Sequence, residues 1–121
     1  MINKQDYINA VNQNIEMVRG DTLAFNFQLQ GLGGSNPDAI IFSCAEHYGE
    51  TPIFTADLTN GIALEEYDSL TDTATYSVRI APGKTATLDA IRYCYDMQIK
   101  VNDDILTLMR GRLSLLNEVT I

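Results

Sequence analysis

The chain of 121 residues is long enough for one domain with a buried core, and not comfortably long enough for two. Hydrophobic residues make up 45% of it and charged residues 20%; no apolar run reaches the roughly 18–20 residues that cross a membrane, so no membrane partner is expected. The formal net charge is −8, and residues 20–78 contain nine acidic side chains without a single Lys or Arg. Phosphate backbones bind basic surfaces, so nucleic acid is not expected as a partner either.

The two cysteines, Cys44 and Cys94, both fall in predicted strands. The first residues of the chain lack the apolar segment of a secretory signal, so folding inside the cell and free thiols are expected. A bridge between the two cysteines stays open as an alternative if their strands face each other across a sandwich.

Residues 1–14 are predicted to form a polar N-terminal arm that precedes a single β-sandwich domain over residues 15–121. Within the arm, Tyr7, Ile8 and Val11 have the three- and four-residue spacing of an amphipathic helical turn. These three residues are the candidate partner-binding residues. A frayed terminus explains the same segment equally well, and both interpretations stay open.

Short alternating segments separated by turn residues dominate the rest of the chain, which predicts about eight strands and almost no helix. Pro52 near the start of one strand indicates an edge position, and Asn60-Gly61 indicates a hairpin turn. An acidic loop is expected over residues 66–73 and a helical turn over residues 85–90. The predicted strands are 15–18, 22–29, 39–45, 51–56, 62–65 and 75–80, followed by a long hairpin over residues 91–116.

The long hairpin is the best-specified element of the sequence. Its first strand alternates apolar and polar residues, and a two-residue turn at 102–103 would pair Ile99 with Leu106 and Met97 with Leu108. A three-residue turn would set apolar against polar side chains, so the register favours two residues.

The second strand of this hairpin cannot alternate between apolar and polar residues without interruption along its whole length. Leu106 and Leu108 share one parity, whereas Leu113 and Leu115 have the other. A shift of one residue must therefore lie between them, and Gly111 is predicted to form the β-bulge that makes it.

Chemical motifs are sparse, and no enzyme activity, catalytic residue, cofactor or metal is expected. The single histidine, His47, lies in a predicted turn three residues after Cys44, but a zinc site needs further ligands that the chain does not offer nearby. The adjacent acids Glu65 and Glu66 diverge in a strand or turn and do not form the facing carboxyl pair of a glycosidase.

The pattern of short strands with frequent turns is typical of an all-β protein, and the predicted fold is an antiparallel Ig-like β-sandwich of about eight strands. The segment LDAIRYCY, residues 88–95, resembles the tyrosine corner of Ig-like domains, with Tyr93 as the corner tyrosine. The spacing from Ala90 to Tyr93 is one residue longer than in the usual corner.

Three segments resemble one known family: RGDTLAFNFQL at residues 19–29, YCYDMQIKV at residues 93–101 and GRLSLLNEVT at residues 111–120. Together they resemble the N-terminal domain of phage baseplate upper proteins and of related small tailed-phage virion proteins. The resemblance implies a non-enzymatic β-sandwich that anchors or connects baseplate, tail or head-fibre components. It also implies a location in the virion, after assembly in the cytoplasm of a bacterial host.

Two main functional hypotheses follow from these observations. In the first, the protein is a virion structural module whose partners are other virion proteins or copies of itself, and a homo-oligomer is expected. In the second, it is a small acidic phage-encoded inhibitor that binds a basic site on a host protein, as the acidic residues 20–78 suggest. A carbohydrate-binding domain is a weaker third hypothesis, because sugar sites stack on exposed aromatic side chains and the chain has no Trp.

Overall fold

The computed structural model describes residues 11–119, and within this range nine strands form two sheets that enclose one hydrophobic core. This confirms the all-β, sandwich-like prediction. The strands are β1 (Val11–Asn12), β2 (Ile15–Val18), β3 (Leu23–Gln30), β4 (Ala39–Ala45), β5 (Phe54–Asp57), β6 (Ile62–Asp68), β7 (Thr73–Ile80), β8 (Arg92–Val101) and β9 (Asp104–Leu116).

The larger sheet has the order β1-β9-β8-β4-β5, with β2 also paired to β9, and the smaller sheet has the order β3-β7-β6. Strands β1 and β2 run parallel to β9, whereas every other named pair is antiparallel. The expectation of a wholly antiparallel sandwich is therefore wrong at this edge. Alternation reveals that a segment is a strand and which face is buried, but it carries no information about strand direction.

The core lies between the inner faces of the two sheets, and Phe42 on β4 is near its centre. The ring centroids of Tyr95, Phe25 and Phe54 lie 5.2, 6.1 and 6.4 Å from that of Phe42. Tyr76, Tyr93 and Tyr95, which the sequence pattern assigns to the core, are all buried. Aromatic rings at these separations add attraction beyond the area that they bury.

Two connections differ from the sequence-based expectation. Strand β6 continues to Asp68, so half of the predicted acidic loop is strand; Glu66 and Asp68 pair with Thr75 and Thr73 of β7 and stay exposed to water. The helical turn begins at Pro82 rather than Thr85, as a short 3-10 helix over Pro82–Lys84. Proline favours the first position of a helical turn, because it has no N–H to leave unpaired there.

The Asn60-Gly61 turn does not close the predicted hairpin. It is tight, with hydrogen bonds between Asp57 and Asn60 in both directions and Gly61 at a φ of +102°. However, β5 belongs to the larger sheet and β6 to the smaller one, so the turn carries the chain between the sheets. The central residues of the turn are Leu58 and Thr59, so Asn60-Gly61 marks the place of a turn and does not form its centre. The partners of the flanking strands depend on distant residues.

The long hairpin has the predicted turn, because Val101 pairs with Asp104 and Asn102 adopts a φ of +56°. Ile99 pairs with Leu106 as expected.

The register shift of the hairpin lies elsewhere than predicted. Met97 pairs with Met109, so Leu108 is the additional residue and the predicted pair of Met97 with Leu108 is wrong. The pairing then continues unbroken past Gly111, which excludes the bulge predicted there. The need for a one-residue shift is confirmed, but glycine at position 111 serves another purpose, described below.

The tail of the described chain is tied to the turn after β2. The Arg19 guanidinium donates hydrogen bonds of 3.1 and 3.0 Å to the two carboxylate oxygens of Glu118, and a third of 3.1 Å to the Leu88 carbonyl. These hydrogen bonds hold the pKa of the Glu118 carboxyl below its usual value. The first residue of the Arg-Gly-Asp tripeptide at 19–21 therefore has a structural role within the fold.

Candidate functional site

The candidate partner-binding residues predicted in the arm fall mostly outside the part of the chain that the structure describes. Tyr7 and Ile8 lie outside residues 11–119. Val11 forms β1 with Asn12, inside the range predicted as the arm, and these residues pair with Met109 and Arg110 of β9. The end of the predicted arm is thus part of the edge of the larger sheet.

An open concavity of about 670 Å³ lies on the outer face of the larger sheet, where β8 and β9 meet β1 and the turn after β4. Three arginine side chains, Arg92, Arg110 and Arg112, line it and are exposed. We call these three residues the arginine face. The same face continues into a second hollow of about 410 Å³, shared by Arg92 and Arg112 with Glu16.

The strand register brings the arginine face together. Arg110 and Arg112 are two residues apart on β9 and therefore share one face, roughly 7 Å apart. Arg92 on β8 pairs with Ser114, so Arg112 is its diagonal neighbour at about 7–8 Å. Three like charges this close repel one another, and an acidic group bound between them would relieve that repulsion.

The turn after β4 folds over the same face and orders one of the arginines. The Arg110 guanidinium carbon lies 4.4 Å from the centre of the Tyr48 ring, which is a cation–π contact. The Tyr48 hydroxyl donates a 2.9 Å hydrogen bond to the Gly111 carbonyl. Tyr48 is about half exposed, so these contacts hold Arg110 in place without removing it from solvent.

The opposite side of the concavity is built by the link between β1 and β2. Gln13 donates its backbone N–H to the Arg110 carbonyl, and the Asn14 side chain accepts a hydrogen bond from the Arg112 N–H at 3.0 Å. The buried Tyr95 hydroxyl donates to the Gln13 carbonyl. A Cβ on Gly111 would lie 2.8 Å from the Gln13 carbonyl carbon, so only glycine allows this approach. This contact explains the glycine between two arginines.

Three acidic residues lie near the arginine face: Glu46 lines the same concavity, Glu16 lines the second hollow, and Asp96 is opposite Arg110 in the register. Among residues 11–119, no ion pair joins Arg92, Arg110 or Arg112 to a carboxylate; the described pairs are Arg19 with Glu118 and His47 with Glu50. Burial raises the pKa of the half-buried Asp96 carboxyl, and the charge of Arg110, which is opposite in the register, opposes that rise. The three guanidinium groups are thus not engaged in ion pairs within residues 11–119, and a carboxylate of a partner could still pair with them.

The cysteine and histidine that the sequence spacing links are separated in the structure, although Glu46, His47 and Cys94 all line the concavity beside the arginines. Cys44 is fully buried in the core, whereas the His47 side chain is 74% exposed, so the spacing that links them in sequence does not bring them together. No group of three or more His, Cys, Asp or Glu side chains within residues 11–119 is placed to hold a metal ion. The same residues include no helix long and apolar enough to span a membrane.

The two cysteines lie on neighbouring strands of one sheet and not on facing sheets. Cys44 pairs with Tyr95 and Cys94 with Ala45, so the two side chains point to opposite faces of the sheet, and both thiols are free. Burial raises the pKa of the Cys44 thiol to about 12 and also raises that of Cys94. Thiolate is the reactive form, so both thiols are expected to be unreactive in the folded protein.

Alkylation tests this directly. In the native protein at pH 8, iodoacetamide is expected to label Cys94 slowly and Cys44 more slowly still, since about one Cys44 in ten thousand would be ionised. In urea without reductant, both should label within the normal time for a free thiol. Rapid labelling of native Cys44, or two blocked thiols in urea, would contradict this prediction.

Comparison of the sequence with models of known protein families and with curated protein sequences finds no match. The arginine face is therefore described from its geometry alone. Sequence reasoning singled out Gly111 and its two flanking arginines for a bulge and missed the face. The sequence did contain one signal: Arg110 and Arg112 are two residues apart on a predicted strand and therefore point to the same face. Arg92 could be added only once the pairing of β8 with β9 was known.

Proposed function

We propose that this protein is a non-enzymatic interaction module of a tailed-phage virion, which binds another virion protein or another copy of itself through its arginine face. The observation that carries the proposal is the arginine face itself. Three exposed arginines, none of them in an ion pair with a carboxylate of residues 11–119, lie together on one sheet of a protein whose net charge is −8. A cluster of exposed arginines without direct ion pairs favours recognition of an acidic surface.

The order of the strands supports a more specific assignment to an Ig-like sandwich. In constant-type Ig domains, strands B, E and D lie in one sheet and strands C, F and G in the other. Strands β3, β7 and β6 correspond in chain order to the first set, and β4, β8 and β9 to the second. Strand β5, on the free side of β4, corresponds to the additional strand of variable-type domains. The first strands differ from the constant-type order, because they pair with β9.

A tyrosine corner is a second feature in favour of the Ig-like assignment. Tyr93 stands at the start of β8, and its hydroxyl donates a 3.0 Å hydrogen bond to the carbonyl of Asp89, four residues upstream. This is the interaction that defines the corner in Ig-like domains. The extra residue between Ala90 and Tyr93 does not prevent it.

The assignment to a virion rests on the three segments that resemble phage baseplate upper proteins. The residues Gly20-Asp21-Thr22 form the turn that opens β3, and the two later segments contribute most of β8 and part of β9. These segments build mostly the central hairpin and the core, and Arg112 is the one residue of the arginine face that they include. They therefore support the class of protein, while the partner depends on the outer surface.

The virion assignment is tested by mass spectrometry of purified particles of the phage that encodes the chain, which should contain the protein in stoichiometric amounts. The binding surface is tested with the double variant Arg110→Glu/Arg112→Glu. We expect it to fold normally and to be depleted from particles at least about tenfold, because like charges would face an acidic partner.

The matched control is Lys84→Glu/Lys100→Glu, which changes the net charge by the same amount at two other exposed residues and should be incorporated normally. Absence of the unmodified protein from particles would overturn the proposal. Incorporation of the arginine double variant to the same level as the unmodified protein would show that the arginine face is not the binding surface.

An acidic inhibitor of a basic host protein is the second candidate, and one observation favours it. Strand β6 carries Glu65, Glu66 and Asp68 at the exposed edge of the smaller sheet. The particle experiment separates the two functions, since an inhibitor would be absent from particles and would capture a basic protein from host lysate.

A further inference from the structure

The arginine face of the larger sheet and the edge strand of the smaller sheet carry opposite charges. The larger sheet carries the arginine face, and the smaller sheet ends at β6 with three exposed acids, Glu65, Glu66 and Asp68, which we call the acidic strand. The Glu65 carboxylate accepts a 2.6 Å hydrogen bond from the Ser77 hydroxyl, which holds it against the outer surface. One molecule thus presents a basic concavity on one side and an acidic edge on the other.

We infer that the arginine face of one copy binds the acidic strand of a second copy, head to tail. The inference rests on the proposed interaction function and specifies which molecule binds the arginine face. The partner is this chain, because it carries the complementary charge on a surface that the fold leaves open. The principal contacts are Arg110 and Arg112 of one molecule with Glu65 and Glu66 of the next.

The geometry of the two surfaces also suits a contact between them. The arginine face is concave, with Tyr48 at its rim, whereas the acidic strand is the outermost strand of its sheet. Leu64 and Tyr67 pair with the inward-facing Tyr76 and Ala74, so they lie on the other face of β6 from the acids, whereas Leu70 in the following turn is 96% exposed. Leu70 donates its backbone N–H to the Asp68 carboxylate, so covering Leu70 in the contact would exclude water from the charge pairs beside it.

Charge also determines the symmetry of the contact. Two arginine faces repel each other, so a two-fold contact between identical surfaces is disfavoured. The two oppositely charged surfaces belong to different sheets. A contact between the arginine face of one copy and the acidic strand of another leaves one arginine face and one acidic strand free on every dimer. Such a heterologous contact repeats, and it produces a ring if the rotation closes and a filament if it does not.

Repulsion between two molecules of net charge −8 opposes this association at long range. At an ionic strength near 0.1 M the Debye length is about 10 Å, so distant charges are screened while contacting arginines and glutamates are not. At about 1 M salt the Debye length is about 3 Å and the contact itself weakens. Association is therefore expected near 0.1 M salt and is expected to be lost at 1 M.

Sedimentation velocity of the full chain tests the inference, with loadings from roughly 10 μM to 1 mM. The unmodified protein should form dimers and larger species as its concentration rises. The variants Arg110→Glu/Arg112→Glu and Glu65→Lys/Glu66→Lys should each weaken this association on the order of 100-fold or more. All four positions are exposed or at an edge, and circular dichroism should show both variants folded.

A mixture of the two double variants is the decisive measurement. Each variant keeps one intact surface, so an equimolar mixture should form a dimer through one arginine face and one acidic strand, and no larger species. An unmodified protein that stays monomeric at 1 mM, a variant that still self-associates, or a mixture that stays monomeric would each overturn the inference. A monomeric protein present in purified particles would overturn the self-contact and leave the proposed virion function standing, with another acidic protein as partner.

Discussion

Replacing Phe42 with alanine is expected to lower the free energy of unfolding by about 3–5 kcal/mol, the range typical of a buried Phe truncated to Ala. Phe42 is fully buried, and the rings of Phe25, Phe54 and Tyr95 surround it with centroids 5.2 to 6.4 Å away. Because β3, β4, β5 and β8 each contribute one of these rings, the neighbouring backbones cannot all move inward to fill the space. The loss would therefore include the cost of a cavity as well as that of the lost transfer energy.

Equilibrium unfolding in urea, followed by far-ultraviolet circular dichroism, measures this effect. Ile41→Ala is the matched control, because Ile41 is the next residue of the same strand and is 42% exposed on the outer face. Its cost should stay below about 1 kcal/mol. Equal destabilisation by the two substitutions would contradict the assignment of Phe42 to the centre of the core.

Replacing Gly111 with alanine should have the second-largest effect and should act on the candidate site. The new Cβ would lie 2.8 Å from the Gln13 carbonyl carbon, closer than the 3.0 Å below which real Cβ contacts are essentially never found. The link between β1 and β2 would have to move away from β9. The hydrogen bonds at risk join Gln13 N–H to the Arg110 carbonyl, the Tyr95 hydroxyl to the Gln13 carbonyl, and Arg112 N–H to the Asn14 side chain.

Each of these three hydrogen bonds contributes about 1 kcal/mol, and the better strand propensity of alanine offsets about 0.5–1 kcal/mol, so a net loss of about 2–2.5 kcal/mol is expected. Hydrogen exchange should show faster exchange over residues 11–18 than in the unmodified protein. Gly83→Ala is the control, since nothing lies within 4 Å of a Cβ built there. Unchanged stability and unchanged exchange in the Gly111 variant would contradict the close approach.

The comparison of sequence and structure is clearest in the long hairpin. The turn at 102–103 and the pair of Ile99 with Leu106 follow from adjacent residues, and both are observed. The need for a bulge is also visible in the sequence, because the leucines at 106 and 108 and those at 113 and 115 cannot all face the core without a one-residue shift. The position of the bulge cannot be read from the neighbouring residues alone. Leu108 takes the additional position. Gly111 stays in the ladder, and its lack of a side chain leaves room for the carbonyl of Gln13.

The candidate site shows the same division. Arg110 and Arg112 share a face by parity alone, so part of the arginine face was visible in the sequence. Arg92 is nearly twenty residues away along the chain and joins them only because it pairs with Ser114. Tyr48 reaches the face from the turn after β4, and no spacing in the sequence indicates that contact.

Local sequence is sufficient for the faces, turns and core of this protein. A strand repeats every two residues, so the alternation in β3, β4 and β8 identifies buried side chains such as Phe42, Tyr95 and Ile99 without knowledge of any partner strand. The choice of partner strand is different, because it depends on the whole hydrophobic surface that the folded chain must bury. The parallel edge formed by β1 and β2, the separation of β5 from β6 into different sheets, and the meeting of Arg92 with Arg110 and Arg112 all result from that choice.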